Sequence, residues 1–321
     1  MPEKLTLSVW PTPLEPVPRL AVALGLGAGD LYLKRDDLTG LGGGGNKVRK
    51  LEWLVADALS RGADTLVTTG GPQSNHARLT AAAGARAGLD VVLVLPGPAD
   101  AHPVAGNLVL DALLGARVTW VDGAAGAADL TAAAEETCAA LAGSGARPYL
   151  VPFGGSSALG ARGYQEAGRE VLAQLPDVRH MVTALGSGGT MAGLVTALGP
   201  ERVLGVDVGA LPDPAATAAG FVGELTGHEL PAGALRVRRD QVGRGYATLH
   251  PPVLDAVRLV AASEGVVLDP VYTGRAAAGL FAAVREGDIR PGEPTVLLHS
   301  GGLPGLLGHA ETVRRAGEAL A

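Results

Sequence analysis

Lys47 follows a run of four glycines in the segment Gly42–Lys50, which reads GGGGNKVRK. Two further glycine-rich turns read GSGGT at Gly186–Thr190 and HSGG at His299–Gly302. Glycine lets backbone N–H groups approach an anion closely, and the start of a helix adds a favourable dipole. A lysine beside such a turn can act as a nucleophile toward a carbonyl compound. Phosphate-cradling turns and a carbonyl-reactive amine together point to a phosphate-bearing aldehyde held on Lys47, namely pyridoxal 5′-phosphate.

Two other segments carry polar groups at helix starts. Gly70–Arg78, GGPQSNHAR, follows a short β-rich run and opens a helix. Ser74 and Asn75 there suit a simple N-cap, and equally the capture of a substrate carboxylate by helix N–H groups. Asp269–Arg275, DPVYTGR, puts Tyr272 and Thr273 just before another helix, and Tyr246 lies in the turn GRGYA. A tyrosine beside a turn can be a packing residue. With only five tyrosines in the chain, two beside glycine turns also suit a site. Nucleotide readings fail on detail. A P-loop needs lysine directly after glycine and then Ser or Thr, but Asn46 intervenes and Val48 follows Lys47. The GSGGT turn misses the dinucleotide fingerprint because Met191 takes the third glycine position.

The elements that must position these residues alternate. Short apolar or β-branched runs at Thr65–Thr69, Val91–Leu95, Arg117–Val121, Met181–Leu185, Val203–Val208 and Thr295–His299 read as strands. Helical windows at Leu51–Ser60, Ser74–Ala87, Val104–Leu114, Gly123–Gly145, Met191–Leu198, Pro251–Gly265 and Gly274–Glu286 separate them, and a short helix is expected around Leu303–His309. Five consecutive apolar residues at Val91–Leu95 mark a strand buried on both faces. Strand–helix alternation predicts an α/β fold with a parallel, doubly wound sheet and right-handed crossovers. Two of the glycine turns then fall between a strand's carboxyl end and a helix start, where such sheets bind ligands. Leu211–Gly245 shows no clear pattern.

Composition narrows the class. The 321 residues suffice for two cores, and 47% are hydrophobic. A net charge of −6 and a pI of about 5.7 exclude nucleic acid as the main partner. Three arginines (Arg236, Arg238, Arg239) read as a solvated strand face. The single cysteine, Cys138, excludes an intramolecular disulfide framework and fits a reducing compartment. No run is apolar and long enough to span a bilayer, and the proline-rich start is not expected to be a signal peptide. A cytoplasmic protein without a metal site is expected.

The strings GGGGNKVRKLEWL, GPQSNHARLTAAAGARAG, PFGGSSALGARGY, GSGGT, DPVYTGRAAAGL and HSGG occur in the order found in fold-type II pyridoxal-phosphate enzymes. The chain resembles these over roughly Leu31–Leu307. More narrowly, it is similar to the branch containing D-cysteine desulfhydrase and 1-aminocyclopropane-1-carboxylate (ACC) deaminase. The resemblance implies a tryptophan synthase β-like fold with a large cofactor domain (1–50 and 154–321) and a small domain (51–153), paired as a homodimer. It implies that Lys47 bonds the cofactor aldehyde, with Lys50 nearby. Gly186, Ser187, Gly188, Gly189 and Thr190 would hold the phosphate, Asn75 the ring hydroxyl, and Ser300 the pyridine nitrogen. Ser74, Asn75, His76, Gly155 and Thr273 would meet a small amino-acid substrate, and Tyr246 and Tyr272 would be active-site tyrosines.

Three features separate the branches. The deaminases resemble DPVYEG, where this chain has Thr273; they tend to read Q-S-N-Q, where it has His76; and they carry an acidic-Asn-Trp segment where it reads PGPAD. All three favour the desulfhydrase side, although PGPAD also departs from many desulfhydrases. The expected reaction is β-elimination of D-cysteine or a related β-substituted amino acid to pyruvate, ammonia and sulfide. The alternatives are ACC deamination, L-cysteate sulfo-lysis, and a non-enzymatic protein that binds the cofactor or an amino acid.

Overall fold

The computed structural model describes residues 3–124 and 126–320. The chain divides into two compact units. The first comprises Met1–Val9, Thr39–Gly160 and Pro304–Ala321; the second comprises Trp10–Leu38 and Ala161–Leu303.

The second unit holds a six-stranded sheet. Its strands are β1 (Leu14–Pro16), β2 (Leu31–Arg35), β7 (His180–Leu185), β8 (Val203–Asp207), β9 (Arg236–Arg238) and β10 (Thr295–His299), in the order β1-β2-β10-β7-β8-β9. Only β1 runs antiparallel to its neighbour. The central strands are buried on both faces, and their apolar residues alternate between two cores. Val182, Leu204, Val206 and Leu297 pack under the helices Pro251–Glu264 and Thr273–Glu286. Met181, Val203, Val296 and Leu298 face the helices Ala158–Gln174, Gly189–Leu198 and Pro214–Thr226. Each such leucine contributes about 1.5–3 kcal/mol by leaving water. This two-sided burial is why β10 reads as an almost unbroken apolar run. Gly193 sets the approach of two of the helices. A Cβ there would lie 2.2 Å from the Ala161 carbonyl oxygen and 2.6 Å from Tyr164 Cβ.

The first unit holds a four-stranded parallel sheet. Its strands are β3 (Thr65–Thr69), β4 (Asp90–Pro96), β5 (Arg117–Val121) and β6 (Pro148–Leu150), in the order β5-β4-β3-β6. The helices Lys47–Ser60, Asn75–Ala87, Asn107–Leu113 and Ala127–Gly143 accompany it. The helix expected from Val104 starts only at Asn107. The segment Leu211–Gly245 contains the helix Pro214–Thr226, capped by Asp213, and the edge strand β9. Of Arg236, Arg238 and Arg239 only Arg239 is exposed; Arg236 and Arg238 are half-buried and paired. Arg238 bridges Asp240 and Glu286, and Arg236 donates to the Glu201 carbonyl.

The two units do not follow the expected division at residues 50 and 153. Residues 39–50 and 304–321 join the first unit, and the cut after Gly160 lies within the helix Ala158–Gln174. The physical reason is the set of bonds on the glycine run. Thr39 Oγ1 accepts from Gly45 N at 2.8 Å, Arg78 donates to the Gly42 and Gly44 carbonyls, and Lys50 donates to Ser156. Lys47 therefore belongs to the same unit as Ser74 and Asn75.

Candidate active site

In the first unit, the chain becomes helical as soon as its glycines end. Gly42 to Gly45 have φ of 52°, 88°, 75° and 129°, in the left-handed region that side chains resist. Asn46 is the N-cap and Lys47 the first helical residue, four positions earlier than the periodicity predicts. Lys47 and Lys50 thus stand one turn apart at the positive end of the helix dipole, with no acidic residue in the first turn. Lys50 is 1% exposed and donates to Ser156 Oγ at 2.9 Å and to the Gly154 carbonyl at 3.3 Å. Burial lowers the half-buried Lys47 amine from 10.5 to about 8, against the opposing effect of a hydrogen bond with Lys50. Lys50 is pushed well below its usual range by burial and then by the Lys47 charge.

Ser74 caps the helix Asn75–Ala87, its Oγ accepting from Ala77 N at 3.1 Å. The simple N-cap is therefore real, and it leaves the Ser74 O–H free to donate elsewhere. His76 is buried, with Nε2 2.8 Å from Thr68 Oγ1. Thr68 donates its hydroxyl proton to the Val151 carbonyl at 2.9 Å, so it accepts from His76 Nε2–H. This network leaves His76 Nδ1 as a bare acceptor, buried without a hydrogen-bond partner. A Cβ on Gly155, whose φ is +61°, would lie 3.5 Å from that nitrogen. Burial, then the charges of Lys47 and Lys50, hold the His76 imidazole well below its ordinary pKa and hence neutral.

Arg78 ties these pieces together. It is fully buried and donates to the carbonyls of Gly42 (2.8 Å) and Gly44 (2.7 Å), to Asn107 Oδ1 (3.1 Å) and to Asn75 Oδ1 (3.4 Å). Asn107 Nδ2 also donates to Asn75 Oδ1 at 3.0 Å. The Asn75 side chain and the glycine run before Lys47 are thus held by one guanidinium. Burial raises the nearby Asp111 carboxyl to about 7, although the Arg78 charge opposes the shift.

In the second unit, the loops after β7 and β10 lie side by side because those strands are parallel neighbours. The loop after β7 is Gly186–Gly188, and the helix Gly189–Leu198 starts directly from it. Gly188 has φ +86°, and a Cβ there would press on Ala218 N at 3.1 Å. A Cβ on Gly186 would lie 3.7 Å from the Tyr272 ring. The loop after β10 carries Ser300, half-buried. Its neighbour His299 accepts from Gly301 N at 3.3 Å and faces Asp37 at 3.6 Å.

Asp269 builds the next turn. One of its carboxylate oxygens accepts from Val271 N and Tyr272 N, both at 2.8 Å, and the other from Thr273 N (2.9 Å) and Thr273 Oγ1 (2.7 Å). Thr273 is fully buried, its hydroxyl committed to Asp269. Tyr272 emerges from this turn with its hydroxyl hydrogen-bonded to that of Tyr246, the rings edge-to-face at 6.2 Å between centroids. Burial raises the Tyr272 phenol well above its usual range.

The donor set fits a phosphorylated aldehyde. Lys47 offers an amine that is partly neutral near pH 8. Gly186–Thr190 offers a loop without bulky side chains at a helix N-terminus, where backbone N–H groups and the dipole favour a phosphate dianion. Lys47, Lys50, Ser74, Asn75, His76 and Gly155 fall in the first unit; Gly186–Thr190, Tyr246, Tyr272, Thr273 and Ser300 fall in the second. Sequence reasoning did not single out Arg78, Asn107, Asp269 or Arg275. Arg78 and Arg275 do carry a signal, since each sits three or four residues past a candidate site residue on the first turn of a helix.

The family described as "Pyridoxal-phosphate dependent enzyme" matches residues 5–301. The chain is 40% identical to the "Putative 1-aminocyclopropane-1-carboxylate deaminase" of Pyrococcus abyssi, over 96% of this chain and 94% of that one. It is also 40% identical to the D-cysteine desulfhydrase of Salmonella paratyphi B, over 95% and 96%. Among solved structures, an ACC deaminase homologue superimposes with a TM-score of 0.88 at 36% identity, covering 98% of this chain and 96% of that one. The processed form of threonine deaminase isoform 2 from Solanum lycopersicum shares the fold, at TM-score 0.62 and 19% identity over 91% and 79%. With a lysine at the head of a helix, a glycine cradle at the end of a parallel strand and this match over nearly its whole length, the chain belongs to the pyridoxal-phosphate dependent enzymes.

Proposed function

We propose that this enzyme eliminates the β-substituent of D-cysteine, or of a closely related amino acid, giving pyruvate, ammonia and sulfide. The observation that carries the reading is the turn Asp269–Thr273. The position where the deaminases resemble a glutamate holds Thr273, sealed in the core with its hydroxyl on Asp269, so it offers no carboxylate to a ligand. Ser300 supplies a neutral hydroxyl for the pyridine nitrogen. ACC deamination is the second reading, supported by the name of the Pyrococcus relative at equal identity.

Bound pyridoxal phosphate would supply the electron sink for the electron pair left on the substrate α-carbon when its proton departs. Lys47 carries the cofactor between turnovers and, once freed, takes that α-proton on Nζ. Burial keeps this amine weakly basic enough to hand the proton on, against the opposing hydrogen bond with Lys50. Lys50, tied to Ser156 and Gly154, stays in place while Lys47 moves. The Ser74 hydroxyl and the N–H groups opening the helix Asn75–Ala87 bind the substrate carboxylate, and Asn75 takes the cofactor ring hydroxyl. His76, neutral with a bare Nδ1, and Gly155 beside it shape the substrate side. As the C–S bond breaks, the paired hydroxyls of Tyr272 and Tyr246 deliver a proton to the departing sulfur. Gly186–Thr190 anchors the phosphate and keeps the reacting atoms in register.

A homodimer in the cytoplasm is the setting proposed. Among the described residues no helix is long and apolar enough to cross a membrane.

The test is a substrate panel of D-cysteine, L-cysteine, L-cysteate and ACC scored for pyruvate, with borohydride labelling of the holoenzyme. D-Cysteine should give the highest kcat/KM, and the label should fall on a peptide containing Lys47. A higher kcat/KM for ACC overturns the branch, and a label on Lys50 overturns the site.

A further inference from the structure

Arg275 is a fully buried cation that the reaction just described does not use. It lies on the first turn of the helix Thr273–Glu286, three residues past Tyr272. Its guanidinium donates to three backbone carbonyls: Val208 just after β8, Gly245 (2.8 Å) and Thr248 (2.9 Å). Gly245 and Thr248 bracket Tyr246. The turn between them contains Ala247 at φ 57°, the only non-glycine residue with positive φ among those described. An alanine rests in that region only where its surroundings over-determine it, and such strain collects at working sites. The same turn is closed by Thr248 Oγ1 donating to the Gly245 carbonyl at 2.8 Å. Tyr246 itself is 43% exposed, so packing alone does not hold its ring.

We infer that Arg275 is the positioning residue for the tyrosine pair, its planar fork holding the strained Gly245–Thr248 turn so that the Tyr246 hydroxyl meets that of Tyr272. The inference rests on the reading that these tyrosines serve the departing group. Arginine suits the task and lysine does not, because a rigid five-donor plane can reach carbonyls on two loops at once. The arrangement parallels Arg78, which grips the carbonyls of the glycine run before Lys47. The Arg275 charge also lies near both phenols, where it opposes the upward shift that burial imposes on Tyr272.

The test uses holoenzyme and the variants Arg275→Lys, Tyr246→Phe and their double. Arg275→Lys should speed amide hydrogen exchange in residues 243–248 and lower kcat on D-cysteine at least tenfold with KM changed less than threefold. The double variant should be no slower than Tyr246→Phe alone, since Arg275 acts through Tyr246. Unchanged exchange, or losses that multiply in the double variant, overturns the inference. If instead Tyr246→Phe leaves kcat and KM intact on every substrate of the panel while Arg275→Lys still speeds exchange, the reading of the tyrosines falls and takes the functional part of the inference with it. Should Arg275→Lys fail to fold, Ala247→Val perturbs the same turn without emptying the core. It should lower kcat toward the Tyr246→Phe value with the cofactor absorbance retained, and unchanged kcat overturns the inference.

Discussion

Replacing Lys47 by methionine should make the cofactor-free protein more stable, although it removes the residue on which the chemistry rests. The Lys47 amine falls from 10.5 to about 8 in the folded chain, mainly through burial. Each factor of ten in proton affinity is worth about 1.36 kcal/mol, so holding this cation in the fold costs roughly 3 kcal/mol at pH 7. The folded amine has the lower pKa, so between pH 8 and 10.5 the unfolded chain binds more protons than the folded one. Stability therefore rises with pH through that window, and the full penalty is present only below it. Methionine keeps most of the apolar stem and discards the charge. It also relieves Lys50, whose own amine is lowered partly by the Lys47 charge. The expected result in urea titrations is a higher unfolding midpoint for Lys47→Met, by up to about 3 kcal/mol at pH 7 and under about 0.5 kcal/mol at pH 10.5. In the parent protein, the rate of covalent capture of pyridoxal phosphate should rise with pH and level off above about 8, because only the neutral amine attacks. A stability gain that is the same at both pH values would refute the electrostatic account and leave only side-chain packing. No gain at pH 7 would refute it as well.

Arg78→Met should cost about 1–3 kcal/mol for each buried acceptor left unpaired, because the Gly42 and Gly44 carbonyls lose their donor. Equilibrium unfolding measures the loss, and weaker cofactor retention on dialysis should accompany it. Gly193→Ala should cost about 1–3 kcal/mol, since its methyl would overlap the Ala161 carbonyl oxygen and Tyr164. Because the crowded helix starts at the phosphate loop, the same variant should bind pyridoxal phosphate more weakly, as read by fluorescence titration. Ser300→Asp should raise solvent-deuterium incorporation into recovered substrate relative to pyruvate formed, since a carboxylate stabilises a protonated pyridine by charge and a hydroxyl does not. Ser300→Thr should behave like the parent, and an unchanged ratio in Ser300→Asp with cofactor retained would show that Ser300 does not face the ring nitrogen.

Much of the molecule was legible in its residues. The alternation of strands with helices located β3, β4, β5, β7, β8 and β10, because two-sided burial writes itself into each strand as a short apolar run. The glycine turns and Lys47 stood out because backbone close to an anion tolerates few other residues. Three things were decided only in three dimensions. The helix at Lys47 begins four residues earlier than its apolar periodicity, since the N-cap at Asn46 and the left-handed glycines set the start and periodicity does not. The edge strands β1, β6 and β9 have three residues each, too few to show a period. The arginines that grip the site loops were invisible as such: Arg78 meets Gly42 thirty-six residues away, and Arg275 meets Val208 sixty-seven residues away. A buried guanidinium and a solvated one are the same letter in a sequence, and only the packed chain decides which carbonyls surround it.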